Sequence, residues 1–228
     1  MSRTESPLAT GRVVLIGVFM TALVTSQLTA SKLLMFQLPF SIPVTGSSLV
    51  MPGAALAYAL TFFASDCYSE LYGRNAAQTM VNVGFGMTLL MLALVWTTIK
   101  APIAPFSGVG QAEFSRVLWS SANIVAGSLL AYIVSQNWDV YVFHAIRRRT
   151  DSKYLWLRNI ASTATSQAID TVIFVSVAFY VAPTYLGVGS AYELSMVASL
   201  IVGQYVLKLA IAFADTPFVY GTVAYFRR

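Results

Sequence analysis

Two short phrases hold much of the polar chemistry available to this chain. Ser135-Gln136-Asn137-Trp138-Asp139, with Phe143, recurs as Ser166-Gln167-Ala168-Ile169-Asp170, with Phe174. In both, Ser and Asp are four residues apart, Gln and Asp three apart, and Phe lies four beyond Asp. At about 3.6 residues per turn such a set forms one stripe along a helix. The stripe offers a hydroxyl, an amide that both donates and accepts, an acceptor carboxylate and an aromatic plane. The first apolar segment carries a partial echo, Ser26-Gln27, with Lys32 further along. Recurrence on consecutive segments points to internal repetition. One use of the phrases is to hold helices together, since Gln, Ser and Asp hydrogen-bond across apolar interfaces. The other is to line a cavity. A carboxylate suits paired N–H donors, a Gln amide suits a ring carbonyl and ring nitrogen, and Phe143, Phe174 or Trp138 suits a flat face. That describes a nucleobase-like heteroaromatic solute, and it also fits other small polar solutes.

Further charges fall within or at the ends of apolar stretches: Lys32, Asp66, Glu70, Lys208 and Asp215, besides Asp139 and Asp170. A charge facing lipid is costly, so each is expected to face the protein interior, a partner charge or a cavity. The candidate substrate-binding set is therefore Gln136, Trp138, Asp139, Phe143, Gln167, Asp170 and Phe174, with Lys32, Asp66, Glu70 and Lys208. The lysines are read as counter-ions to intramembrane carboxylates, or Lys208 as a direct contact to the solute. No catalytic residue, metal site or cofactor is expected. Cys67 is the single cysteine, CxxC, HExxH and GxGD patterns are absent, and His144 stands alone beside a basic stretch, where it reads as interfacial. There is no GxxxxGK[ST] phosphate loop, so ATP-driven work would require a separate subunit.

The elements that must carry these residues are membrane helices. Apolar residues make up 57% of the 228-residue chain and charged residues only 10%, too few to cover the surface of a soluble domain, where about 25% is usual. Six segments are long enough to cross a hydrocarbon core of roughly 30 Å: residues 13–36, 52–71, 80–99, 117–145, 160–181 and 192–213. The first is too long for a signal-peptide core and is read as a retained helix. Residues 37–51, with Pro39, Pro43 and Gly46, are expected to form an extracytoplasmic loop that dips back toward the bundle. Ten of the fourteen Lys and Arg residues fall on one side, among them Arg3, Arg12, Arg74, Arg147–Arg149, Arg158 and Arg228, against Lys100 and Arg116 on the other. The positive-inside rule then makes both termini cytoplasmic, as an even number of crossings demands. The expected fold is a single all-α, polytopic domain over residues 1–228, in the cell membrane. A basic loop at 147–159 would meet anionic lipid. The net charge of +5 lies mostly in short gaps between apolar stretches rather than on a wettable patch, which argues against nucleic acid. A homo-oligomer is compatible with the sequence.

Matches spread over most of the chain identify a resemblance. They are Ser31-Lys32, Pro52-Gly53, Ser65-Asp66, Glu70-Leu71-Tyr72-Gly73-Arg74, Ala77, Arg158-Asn159, Ser162, Ser166-Gln167, Asp170-Thr171, Phe174, Lys208, Thr216-Pro217 and Tyr220. Together they resemble the queuosine precursor transporter family, the vitamin-uptake-like transporters of bacteria and archaea. The resemblance implies a six-helix membrane importer, not an enzyme, for 7-deazaguanine precursors of modified tRNA bases such as 7-cyano-7-deazaguanine. Its partner would be a deazapurine base. In that reading the Asp170 carboxylate accepts two N–H bonds from the aminopyrimidinone edge while Gln167 bonds the ring carbonyl. The alternatives are a proton-coupling Asp170 that never touches solute and a substrate-binding subunit of an energy-coupling-factor importer. An intramembrane enzyme and a membrane assembly protein are the remaining rivals.

Overall fold

The computed structural model describes residues 7–42, 44–150, 155–187 and 191–227. The chain is built from α1 (Pro7–Thr29), strands β1 (Leu33–Ile42) and β2 (Gly46–Pro52), α2 (Ala54–Tyr72), α3 (Arg74–Lys100), α4 (Gln111–Trp119), α5 (Ser121–Arg149), α6 (Leu155–Ser176), a π-helical turn over Val177–Val181, α7 (Ala182–Leu186) and α8 (Leu194–Phe226). Among the described residues, five stretches are helical, long and apolar enough to cross a membrane: Leu8–Thr29, Arg74–Lys100, Gln111–Ile146, Ile160–Leu186 and Leu194–Ile211. The expected crossing at 52–71 is present as the 19-residue α2, but it is not among those five. Asp66 and Glu70 in its last turns lower its hydropathy.

The chain forms two compact units. The first comprises Met1–Leu34, Met51–Ser121 and Val206–Arg228; the second comprises Met35–Val50 and Ala122–Tyr205. In the first unit, α1 packs on α2 and α3 through Leu15, Phe19, Leu23, Ala64, Cys67, Tyr68, Ala77 and Met80. Every one is apolar or amphipathic, and between membrane helices, where lipid tails are as apolar as these side chains, such a contact is held by close packing rather than by exclusion of water. The outer side of α3 instead exposes Val83, Met87, Leu89, Leu90 and Leu94, a surface suited to acyl chains.

Several boundaries differ from the expectations. The apolar run 13–36 is not one helix: α1 stops at Thr29, and Lys32 sits in a turn before β1. The residues that follow pair as an antiparallel hairpin rather than a dipping loop, so the fold is helical with one two-stranded sheet. Its turn uses positive φ at Val44 (77°) and Gly46 (64°), the backbone hand that matches the twist of flanking strands. The Gly53 N–H then closes onto the Lys32 carbonyl at 2.6 Å, returning the chain to the end of α1.

The expected helix 117–145 is divided at Ser120 into α4 and α5, and α5 runs on through Arg149. Ser120 and Ser121 donate back to the carbonyls of Val117 and Leu118 at 2.6 and 2.5 Å, satisfying groups at the junction. Of the expected basic loop at 147–159, residues 147–149 belong to α5 and residues 155–159 to α6; residues 151–154 lie outside the described residues. The π-helical turn at the end of α6 has a covalent cause. Pro183 has no N–H to give the Phe179 carbonyl, and the Tyr192 N–H donates to that carbonyl instead, at 3.1 Å.

Candidate functional site

The two recurring phrases meet in the second unit. The Ser135 hydroxyl lies 3.5 Å from Oδ1 of Asp170, and the Ser166 hydroxyl lies 3.4 Å from Oδ1 of Asp139. Each serine of one phrase thus faces the carboxylate of the other, the reciprocal pairing of two antiparallel helices with one repeated motif. Eight residues toward the opposite end of α5 the same register holds. A Cβ at Gly127 would stand 3.0 Å from the Phe174 carbonyl and 3.2 Å from the Ala178 methyl, so glycine relieves a tight approach of the two backbones.

The serine contacts are long. A hydroxyl has one proton, and Ser166 Oγ is nearer the Thr163 carbonyl, at 3.0 Å, than the carboxylate. Ser135 has a comparable choice in the Tyr132 carbonyl at 3.3 Å. A carboxylate accepts in about four directions, so a long serine contact occupies only part of the capacity of either group, and Asp170 has a further interaction besides its serine. Both carboxylates are half-buried. Beside them, Trp138 donates its indole N–H to Thr165 Oγ1 at 3.1 Å and leans on Tyr141 with ring centroids 6.0 Å apart. Phe174 is buried and packs edge-on against Phe179.

The two glutamines differ. Gln136 is exposed, whereas Gln167 is half-buried, and its Oε1 is buried with no hydrogen-bond partner. Helix geometry explains the difference. Gln167 lies on the flank of α6 between the stripe that faces α5 and the stripe that meets α8, where Tyr205 donates to the Ala164 carbonyl at 3.4 Å. A second orphan lies on α8: Oε1 of Gln204 is also buried and unpartnered. Sequence reasoning passed over Gln204, although a lone amide inside the apolar run Ile201-Val202-Gly203-Gln204-Tyr205-Val206 is the kind of signal that marks a site. A buried acceptor without a donor costs about 1–3 kcal/mol.

The remaining candidates belong to the first unit. Lys32 is exposed in the α1–β1 turn, and Asp66 is exposed on α2 with a polar interaction of its own. Lys208 on α8 is only 8% exposed and likewise engaged. Glu70 is exposed and pairs with Arg227, whose Nη2 is 3.6 Å from its carboxylate and 2.8 Å from its carbonyl. Nearby, Arg12 donates to the Tyr68 hydroxyl at 3.0 Å and sits over the Tyr72 ring, while Tyr72 donates to the Leu8 carbonyl at 2.5 Å. The Glu70-Leu71-Tyr72-Gly73-Arg74 stretch thus ties α2 to α1 and α8. The side chains of Phe143 and Asp215 lie outside the described residues.

A repeated polar seam and exposed apolar helix faces are the features of a multi-pass membrane protein. The family described as "Putative vitamin uptake transporter" matches residues 52–222. A relative from Bacillus subtilis (strain 168) named "Probable queuosine precursor transporter" is 37% identical over 165 residues, 72% of this chain and 68% of that protein. The "Queuosine precursor transporter" of Escherichia coli (strain K12) is 27% identical over 130 residues, 57% of this chain and 55% of that protein. No solved structure matches the chain. The chain belongs to this vitamin-uptake-type family of queuosine precursor transporters. It is a membrane transporter and not an enzyme.

Proposed function

We propose that the chain imports 7-deazaguanine bases, such as 7-cyano-7-deazaguanine, and holds them on the α5–α6 seam of the second unit. The observation that carries this reading is the buried, unpartnered carbonyl oxygen of Gln167, three residues before Asp170 on α6. Acceptors collected in an apolar surrounding call for a solute rich in N–H donors. The aminopyrimidinone edge of a guanine-like base has a ring N–H and an exocyclic amino group side by side. Asp170 takes that pair as charge-assisted bonds, the stronger class. The unmatched Gln167 atom is an acceptor, so it receives an N–H instead of donating to the ring carbonyl. Adenine-like bases present a different order of donors and acceptors at that edge and are rejected. The names of the two relatives support the same solute class.

Asp170 stands about 18 Å along α6 from Arg158, at 1.5 Å per residue, the depth at which an alternating-access carrier keeps one fixed site. Both termini are cytoplasmic in this reading, with α2 as the sixth crossing. The test is equilibrium binding of 7-cyano-7-deazaguanine to detergent-solubilised protein carrying Asp170→Asn. Affinity falls more than about tenfold, a loss above about 1.4 kcal/mol. Unchanged affinity in a well-folded variant with impaired uptake would assign Asp170 to proton coupling.

A further inference from the structure

Among the described residues of the second unit, two buried amide oxygens lack donors, and they come from different helices. Gln167 shares α6 with Asp170, three residues away, so both can serve one edge of a bound ring. Gln204 comes from α8, beside the Tyr205–Ala164 contact that joins α8 to α6. It lies on the buried stripe of α8, four residues after Leu200, which is fully buried, and seven after Val197. A polar atom in such a stripe is normally paired with a neighbouring helix, and Oε1 of Gln204 is not.

We propose that Gln204 is a specificity-determining residue that accepts the pyrrole-type N–H of the solute's five-membered ring, and so admits free bases while rejecting the same ring substituted at that nitrogen. The inference rests on the deazaguanine reading and goes beyond it. A flat bicyclic base whose aminopyrimidinone edge is held from α6 turns its five-membered ring away from that helix, toward a residue on another element. The N–H there is a donor in the free base. In a nucleoside or an N-methyl derivative it is gone, and Gln204 would stay unpaired against a methyl group. A site built to bond an N–H rejects the analogue lacking it far more strongly than an apolar pocket rejects an extra methyl.

The experiment compares equilibrium binding of 7-cyano-7-deazaguanine and its pyrrole-N-methyl derivative to the full chain in detergent, for wild type, Gln204→Leu and Gln204→Glu. Wild type binds the free base at least tenfold more tightly. Gln204→Leu loses most of that preference by weakening the free base alone, and its melting temperature in detergent does not fall, since an unpaired buried acceptor has been removed. Gln204→Glu keeps an acceptor and retains the preference, which covers the case in which the leucine variant fails to fold. Equal wild-type binding of both ligands overturns the inference while leaving the deazaguanine reading intact. So does a preference unchanged in Gln204→Leu, or one lost in a folded Gln204→Glu. Wild-type protein that binds neither ligand overturns both.

Discussion

At the residue scale, the seam contains groups that join helices and groups assigned to the solute in the proposed function. The Ser135–Asp170 and Ser166–Asp139 contacts, at 3.5 and 3.4 Å, are near the outer limit for a hydrogen bond. Replacing both serines by alanine is therefore expected to lower stability by no more than about 1 kcal/mol, read as a small shift in detergent unfolding. Lys208 is a different case. It is buried and engaged, and removing one member of a buried pair costs about 3–5 kcal/mol because its partner is left uncompensated. Lys208→Met should reduce folded yield if pairing dominates. Full yield with uptake lost would mean that it touches solute, and full yield with full uptake would remove it from the site. The Ser–Asp phrases were legible in the sequence because a four-residue spacing repeated in consecutive helices fixes a common face. The asymmetry between Gln136 and Gln167 was not. It depends on α8 lying against one flank of α6, a long-range fact that no local spacing encodes.

At the scale of elements, the transitions between helices depend on backbone more than on side-chain polarity. Gly73 links α2 to α3 with φ 88° and ψ 159°, a region essentially restricted to glycine and costing a chiral residue about 1–3 kcal/mol. Gly73→Ala should lower the unfolding midpoint by that measure, although a Cβ there meets open space. Arg227→Ala should cost little, because both members of its pair with Glu70 are more than half exposed and such pairs contribute about 0–1 kcal/mol. Gly203 on α8 lies so close to Val50 of β2 that a Cβ would overlap the Val50 carbonyl. Gly203→Val should destabilise by about 1–3 kcal/mol through overpacking against rigid backbone. The positions of α3, α6 and the start of α8 were readable from apolar length alone. The end of α1 was not, because an unbroken apolar run carries neither a helical nor a strand period. The hairpin was not legible either, because Pro39, Pro43 and Gly46 in residues 37–51 are signals shared by loops and by strand connections.

For the whole molecule, the sequence reading and the structure agree on a helical, multi-pass membrane protein and differ in the count of strong crossings, six expected against five among the described residues. The difference lies in α2, where Asp66 and Glu70 lower the hydropathy that identifies a span. Charge asymmetry bears on it independently: ten Lys and Arg residues on one side against two on the other are expected to hold both termini inside. A reporter fused after Arg228, or in the connection between α5 and α6, should report the cytoplasm, and one near Gly110 the outside. Gly110 on the cytoplasmic side would end the six-crossing topology. Import as proposed requires this chain to move a deazaguanine base without a separate ATP-hydrolysing subunit. It is tested most directly by uptake of labelled 7-cyano-7-deazaguanine into proteoliposomes containing only this protein. The account predicts saturable accumulation above protein-free vesicles, diminished by unlabelled 7-deazaguanine and not by adenine. Binding without any uptake, restored only when a separate ATP-hydrolysing complex is supplied, would contradict it.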